Sequence, residues 1–231
     1  MRQFRCIDRR WTSVQRVIPI GRAHSIILHI ASATGTKKGG AIADLQEAIS
    51  LGRAALELRP HGHSCRALTL YNLATCLNDR FQALDRGCDL DEAIELHQSA
   101  LVLRQVNNSD QSDSLNNLAF CFSNRYNKQG VVADLEEAIT CGRAALESCS
   151  PGHPRRALRL YNLATYLSNR LLALHTDRDL DDAISLHQSA LDLRPEGHSG
   201  RSDSLHSLAV CFSYRYDKQG TIADLQGAIV P

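Results

Sequence analysis

An internal repeat of 45 residues is the feature that most limits how this 231-residue chain can fold. The dipeptide Asp-Leu opens a similar stretch five times at this interval, at Asp44, Asp89, Asp134, Asp179 and Asp224. Alternate copies match best: DLDEAIELHQSALVLRQ begins at Asp89 and DLDDAISLHQSALDLRP at Asp179, 90 positions later. A fixed period of this size predicts stacked repeats, in which each unit buries its apolar face against its neighbours.

Each period contains two amphipathic helical patterns. From Asp89 onward, apolar residues recur three or four positions apart along one face of a helix. The other pattern, ALTLYNLATCLNDRF at 67–81, has the same spacing and recurs at 112–126, 157–171 and 202–216. The stretches RPHGHS, SPGHPR and RPEGHS between the patterns are rich in turn-forming residues. The sequence therefore predicts an all-α fold built from helix pairs.

Small and capping residues predict how these helices begin and pack. Asp44, Asp89 and Asp134 are each followed by Glu three positions later, so we expect each Asp to cap a first turn in a capping box. Alanine recurs at three positions of the period, which predicts close approach between helices. These alanines are Ala48, Ala93, Ala138 and Ala183; Ala55, Ala100, Ala145 and Ala190; and Ala74, Ala119, Ala164 and Ala209.

The segment NLAFCFSNRYNKQGVVADLEEAITCGRAALES, residues 117–148, resembles a tetratricopeptide repeat (TPR). Ala119, Ala138 and Ala145 stand where that family places small residues. The period is longer than the roughly 34 residues usual in the family. This longer form is similar to the repeats of kinesin light chain, of nephrocystin-type proteins and of large fungal proteins. The resemblance implies a right-handed superhelical solenoid of antiparallel helix pairs.

The two ends of the chain fit the repeat poorly. We expect a disordered basic tail at 1–22, for which a weak transit-like segment is the alternative. The TPR-like array then covers 23–231, with a degraded first helix at 23–40 and a truncated last helix at 224–231. Because a repeat array needs capped ends, we expect a fragment or a truncated relative of a longer array.

The composition argues against several classes of partner. Lys and Arg number 26 against 25 Asp and Glu, which offers no basis for binding nucleic acid or an anionic membrane. No apolar run approaches the roughly 18 residues of a membrane span. The 8 cysteines are scattered, which favours reduced thiols in a cytoplasmic protein over a disulfide framework. KKGG at Lys37 lacks the spacing of a phosphate-binding loop, and we expect no cofactor.

Two groups of His and Cys are candidates for a metal site and for a catalytic nucleophile. His61, His63 and Cys65 offer ligand types that zinc accepts, but no copy of this loop supplies four ligands, so we expect no metal. Cys121 with His97 would be a nucleophile pair, yet nothing in the sequence orients it, so we expect no catalytic residues. His97 and its equivalent at position 187 lie on the packed helix face, as either satisfied or groove-facing histidines.

The TPR resemblance implies a partner-binding surface, because the first helix of each pair lines the concave side of such arrays. An Asn amide both donates and accepts, and aromatic residues supply contact area. The alternative is that each Asn bonds a neighbouring helix and holds the stack together. Position by position, the implied residues are Tyr71, Asn72, Thr75, Asn116, Asn117, Phe120, Tyr161, Asn162, Thr165 and His206, with Ser207 where the other copies have Asn.

Arginine also recurs every 45 residues, at Arg80, Arg125, Arg170 and Arg215. One interpretation is an ion pair between each Arg and an acidic residue of a neighbouring helix. The other is a basic ladder that binds acidic groups of a partner. The sequence leaves both open, so these four join the candidate partner-binding residues.

The resulting functional expectation is a non-catalytic scaffold that binds a peptide or partner protein in the groove of a TPR-like array. The resemblance to fungal arrays implies one alternative, a regulatory or sensor part of a larger protein with a separate peptidase or NTPase domain. A small helical hydrolase or metal protein, and a non-functional remnant, are further alternatives. The sequence specifies neither the partner nor the oligomeric state.

Overall fold

The computed structural model describes residues 35–104, 109–174 and 178–220, and within them every regular element is an α-helix. The eight helices of this described part are α1 (Gly35–Glu57), α2 (Arg66–Leu84), α3 (Gly87–Val102), α4 (Ser109–Gln129), α5 (Val132–Glu147), α6 (Arg156–Leu174), α7 (Leu180–Asp192) and α8 (Arg201–Gln219). The predicted all-α helical repeat is confirmed.

Two kinds of helix alternate along the chain. The first helices, α2, α4, α6 and α8, carry the Leu-Ala pattern, and the second helices, α1, α3, α5 and α7, contain or follow the repeated Asp. Consecutive helices are antiparallel neighbours within α1 to α3 and within α4 to α8.

The helices belong to two compact units, residues 1–104 and 105–231. In the N-terminal unit α2 packs against α1 and against α3. In the C-terminal unit α4 to α8 pack in chain order, and α6 also contacts α4 and α8. The first helices of the C-terminal unit therefore lie side by side.

Alanine and leucine form the core, as the repeated positions predict. Eight of the repeated alanines are completely buried: Ala74, Ala93, Ala100, Ala119, Ala138, Ala164, Ala183 and Ala190. Leu73, Leu77 and Leu167 are at most 1% exposed. Each such Leu contributes about 1.5–3 kcal/mol through removal of its side chain from water. The alanines near the ends of the described part, Ala48 and Ala209, are only half-buried.

The predicted capping boxes are wrong. α3 begins at Gly87 and α5 at Val132, so Asp89 and Asp134 already lie in the first turn, and neither helix has a side-chain cap. Asp44 lies well inside α1. The reason is that Asp89 and Asp134 accept hydrogen bonds from arginines of the preceding first helix, which leaves their carboxylates unavailable to the backbone.

The repeated loop histidines have a structural role. The Nδ1 atoms of His63, His153 and His198 each accept a hydrogen bond from the backbone N–H two residues later, at 3.1, 3.1 and 3.0 Å. In two of these loops a glycine with positive φ precedes the histidine, Gly62 at 90° and Gly197 at 81°. The turn therefore favours glycine there, and the imidazole fixes the backbone that enters the next first helix.

The remaining predictions about the ends lie largely outside the described residues. These are the basic tail at 1–22, most of the degraded helix at 23–40 and the last helix at 224–231. Within the described part, α1 continues through Gly40 without a break. No described helix is long and apolar enough to cross a membrane, and no disulfide joins the described cysteines. The right-handed superhelix stays a prediction.

Candidate functional site

The candidate site lies along the middle of the first helices of the C-terminal unit. Side chains of α4, α6 and α8 meet there because α6 contacts both of the others. Seven of them are half-buried: Asn116, Asn117, Phe120, Tyr161, Asn162, Thr165 and Ser207. The leucine and alanine next in sequence, such as Leu163 and Ala164, are buried in the core. The amphipathic pattern thus leaves these polar and aromatic groups at the edge of the core, in contact with solvent.

Hydrogen bonds link these helices across repeat boundaries. Asn162 Nδ2 on α6 donates to Asn116 Oδ1 on α4 at 3.2 Å, and Asn116 Nδ2 donates to Asn117 Oδ1 at 3.4 Å. Ser207 Oγ on α8 donates to the Tyr161 hydroxyl on α6 at 3.5 Å. The stacking role that the sequence leaves open for asparagine is therefore present for Asn116 and Asn162.

Asn162 keeps hydrogen-bonding capacity that the stack does not use. An amide side chain has two N–H donors and an acceptor oxygen. One donor of Asn162 binds Asn116, and no other described residue binds this amide. Its oxygen and its second N–H are therefore available to a ligand, so the stacking role does not exclude a binding role.

Tyr161 is oriented by the second helix of its own pair. The His187 ring on α7 meets it edge-on, with ring centroids 5.5 Å apart. The Arg194 guanidinium lies over the Tyr161 ring, 4.7 Å from its centroid. Burial, and then the charge of Arg194, lower the pKa of His187 to about 4. A neutral imidazole therefore supports the ring, and Tyr161 presents its hydroxyl from a defined position.

Tyr71, the equivalent residue of the N-terminal unit, differs in exposure. It has the same neighbours, with the His97 ring 5.5 Å away and Arg104 4.6 Å above it. However, Tyr71 is only 4% exposed and packs with Leu70 and Ala100. The ring of Tyr71 is therefore covered in this structure, and its role as a partner contact stays a prediction.

The other predicted residues of the first helices fall into three environments. Asn72 is half-buried on α2, and His206 is exposed on α8. Thr75 and Thr165 each donate their hydroxyl proton to the carbonyl four residues earlier, at 3.0 and 2.9 Å. Those two hydroxyls therefore retain only acceptor capacity for a ligand.

The recurring arginines bind carboxylates inside the protein. Each of three arginines donates from Nε and Nη2 to both oxygens of the Asp nine positions later, at 2.7–2.9 Å: Arg80 to Asp89, Arg125 to Asp134 and Arg170 to Asp179. Arg170 also binds Glu136, and Arg215 binds Asp181 at 3.3 Å. Of the two interpretations, the ion pair is the one present, and binding of a partner by these arginines stays a prediction.

The electrostatics of these pairs follow from their geometry. Burial raises the pKa of Asp89, but the hydrogen bonds and charge of Arg80, with Arg86, outweigh burial and hold that pKa below its ordinary value. The hydrogen bonds to Asp89 likewise raise the pKa of Arg80 despite burial. Both partners of the Arg80–Asp89 pair therefore stay ionised, which makes it a permanent connection between first and second helix.

The His and Cys groups form no reactive arrangement in the described part. His63 binds the backbone N–H of Cys65, and no three His, Cys, Asp or Glu side chains of the described ranges gather as metal ligands do. Both ring nitrogens of His97 are buried without a hydrogen-bond partner there, so nothing orients it as a base. Burial, and then Arg104, lower the pKa of His97 to about 3.

The predicted site residues did not include an arginine that lies at the loop end of the helix pairs. Arg59 binds the Thr69 hydroxyl, and Arg194 donates to Ser204 Oγ at 2.7 Å. In the third copy the arginine lies on the first helix instead of after the second helix. There, Arg159 Nη1 donates to Cys149 Sγ at 3.5 Å. The signal was the 45-residue recurrence of Arg59, Arg104 and Arg194, interrupted only by Cys149.

No protein-family model and no curated protein matches the sequence. Solved structures match it in fold. One holds nearly identical TPR-like repeats of a Podosopora anserina protein provisionally named a kinesin light chain, with TM-score 0.56 and 18% identity, covering 80% of this chain and 86% of that one. A single-residue variant of that protein has the same score and identity, covering 80% and 85%. BtubC (BKLC) from P. vanneervenii has TM-score 0.53 and 21% identity, covering 96% and 89%. The chain therefore has the TPR-like helical repeat fold.

Proposed function

We propose that this TPR-like chain is a non-catalytic scaffold that binds an extended segment of a partner protein along α4, α6 and α8. The observation that carries the proposal is the half-buried amide row of Asn162, Asn116 and Asn117, in which the stack leaves the oxygen and the second N–H of Asn162 unused. Solved structures of the same fold include one provisionally named a kinesin light chain, which supports a role in protein binding.

The spacing of the helices suits an extended chain. Packed helices lie about 8–10 Å apart, and an extended peptide rises about 3.3 Å per residue. About three peptide residues therefore pass from one first helix to the next. The Asn amides of α4 and α6, and the Ser207 hydroxyl of α8, can then bind the peptide backbone about every third residue without regard to its side chains.

The aromatic groups beside this row supply contact area. Phe120 on α4 and Tyr161 on α6 are half-buried, and Val210 on α8 is 47% exposed. Tyr161 is held in place by His187 and Arg194, so little side-chain freedom is lost when a ligand covers it. The polar row orients the peptide, and these groups add buried area.

The test selects ligands from a random dodecapeptide phage library with the full chain. Enriched peptides are then synthesised and titrated by fluorescence anisotropy against the wild type and the Asn116→Ala/Asn162→Ala variant. We expect the variant to bind at least about tenfold more weakly, because each lost hydrogen bond contributes about 1 kcal/mol.

The matched control is Gln98→Ala/Gln188→Ala, which removes two exposed amides from the second helices α3 and α7. We expect it to bind as the wild type does. Circular dichroism confirms that each variant keeps its helicity. The proposal is wrong if no peptide is enriched, or if the double asparagine variant remains helical and binds unchanged.

A further inference from the structure

The middle of every first helix lacks ionised residues. In the C-terminal unit, 114–124 on α4, 160–169 on α6 and 204–214 on α8 contain no Asp, Glu, Lys or Arg, and His206 is their one titratable base. Residues 67–78 of α2 also contain no Asp, Glu, Lys or Arg. We call the three segments of the C-terminal unit the neutral belt. Among the second helices, α5 carries Glu136, Glu137 and Arg143 on its exposed side, whereas residues 183–191 of α7 also contain no Asp, Glu, Lys or Arg.

Charges frame the neutral belt at one end, where they bind one another. Asp113 at the start of α4 binds Arg155 at 2.7 Å and Arg159 at 2.5 Å. Arg201 at the start of α8 donates to the backbone carbonyl of Arg194 at 2.6 Å. The guanidinium groups at this end are thus engaged within the protein; that of Arg194 covers the ring of Tyr161 in the belt and is itself 3% exposed.

The opposite end of the neutral belt is arranged in the same way. Arg125 binds Asp134 at 2.7 Å, and Arg170 binds Asp179 at 2.7 Å as well as Glu136. Lys218 lies 5.6 Å from the ring centroid of Tyr214. The ionised groups of both ends therefore leave the middle of the surface to uncharged donors and acceptors.

Uncharged polar groups and apolar groups alternate inside the belt. Asn162 offers an oxygen and an N–H, and Tyr161 offers its hydroxyl. Ser168 Oγ on α6 approaches Cys211 Sγ on α8 at 3.6 Å, which continues the contact between these helices. Val210 is 47% exposed. In the middle of the belt a ligand thus meets groups of both hydrogen-bonding types, since the Arg194 guanidinium over the Tyr161 ring is 3% exposed and donates to Gly200 and Ser204.

We propose that the neutral belt selects extended segments with uncharged hydrogen-bonding side chains, namely Asn, Gln, Ser and Thr, and rejects segments with Asp, Glu, Lys or Arg. This inference rests on the proposed function and specifies the partner class of that same site. A ligand charge placed in the middle of the belt would lose part of its hydration and find no exposed opposite charge there. Specificity would then come from excluding charged segments. Three helices about 10 Å apart accommodate roughly six to nine extended residues.

The test compares three pools of fluorescein-labelled nonapeptides with identical Ala and Gly flanks. The five central positions are drawn from Asn, Gln, Ser and Thr in one pool, from Asp and Glu in the second, and from Lys and Arg in the third. Anisotropy titrations with the full chain are run at 50 and 500 mM NaCl. We expect the neutral pool to bind at least about tenfold more tightly than either charged pool, with less than about a twofold change of Kd with salt.

A charge added to the belt provides the second arm. Asn162→Lys places a cation among the uncharged groups, and we expect it to move the preference to the Asp and Glu pool by at least about tenfold. Gln188→Lys adds the same charge to the exposed face of α7 and should leave the wild-type preference unchanged. The wild-type comparison stands without either variant, so a misfolded variant does not remove the test.

The outcomes separate the two proposals. Tighter binding of either charged pool by the wild type overturns the neutral belt and leaves the scaffold proposal standing. A large salt dependence of the neutral pool has the same consequence. Failure of all three pools, together with failure of the phage selection, overturns both.

Discussion

Arg170 holds the carboxylate of Asp179 with two hydrogen bonds of 2.7 Å, and their side chains are 11% and 3% exposed. The pair joins α6 to the start of α7, and the same bond recurs nine residues apart as Arg80–Asp89 and Arg125–Asp134. In each of these three repeats, an ion pair with a buried Asp therefore fixes the second helix on the first.

Asp179→Asn should lower the free energy of unfolding by about 3 kcal/mol, because it leaves a nearly buried guanidinium without its main counterion. Urea denaturation followed by circular dichroism measures the change. The control is Arg53→Gln, which breaks the exposed Arg53–Glu92 pair and should cost less than about 1 kcal/mol. Equal losses in the two variants would contradict a special role for the buried pair.

Stability should fall on mild acidification because of His97 and His187. Their folded pKa values, about 3 and about 4, lie below the ordinary 6.5. Between pH 6.5 and 4 the unfolded chain therefore binds protons that the folded chain excludes, so the free energy of unfolding decreases as pH falls. Each histidine contributes a slope approaching about 1.4 kcal/mol per pH unit.

Urea titrations at pH 7, 6, 5 and 4 measure this slope. His97→Gln/His187→Gln should flatten it, whatever the variant does to stability at pH 7. The control is Gln98→Ala/Gln188→Ala, which changes the exposed residues next to the two histidines and should leave the slope as it is in the wild type. A double variant with the wild-type slope would show that other groups carry the acid sensitivity.

Two helical glycines should respond oppositely to added side chains. A Cβ at Gly142 would stand 3.3 Å from Leu163 Cδ1 and 3.5 Å from the Tyr166 ring, so Gly142→Val should destabilise by about 1–3 kcal/mol through overpacking. A Cβ at Gly40 meets nothing within 4 Å, and Gly40→Ala should stabilise by about 0.5–1 kcal/mol. Thermal unfolding measures both. A stabilising Gly142→Val would refute the close approach of α5 and α6.

The imidazole of His198 should matter to the loop that precedes α8. Its Nδ1 accepts the backbone N–H of Gly200 at 3.0 Å, and His198→Ala leaves that donor without this partner. We expect a loss of about 1 kcal/mol in urea denaturation. His206→Ala, a change at an exposed position of α8 itself, should alter the free energy of unfolding by less than about 0.5 kcal/mol. A neutral His198→Ala would leave the recurrence of this histidine unexplained.

The periodicity was sufficient to predict the helices and their packing. Leucine spacing and the repeated alanines report burial, and Ala93, Ala138 and Ala183 are indeed completely buried. The helix starts were not predictable in the same way. An Asp with a Glu three residues later is compatible with an Asp that caps the helix and with an Asp inside its first turn. Only the Arg nine residues before the Asp distinguishes these two positions. Both rows recur every 45 residues, so their constant offset was the available signal.

The candidate site was only partly predictable. The row containing Asn162 was found from its position in the pattern, but its bond partner is Asn116, which lies on the preceding first helix and one position earlier in the repeat. Tyr71 and Tyr161 occupy equivalent positions, yet one is buried and the other half-buried. Sequence equivalence does not reveal how much of each ring its surroundings cover.

The exchanged Arg159 and Cys149 limit how freely these repeats can be recombined. Arg59 and Arg194 come from the second helix and face a hydroxyl, whereas Arg159 comes from the first helix and faces a thiol. A chimera that joined the α1 loop to α6 would bring two guanidiniums together. One that joined α5 to α2 would provide none. Within this protein, α5 and its loop are therefore interchangeable with the other second helices only when α6 moves with them.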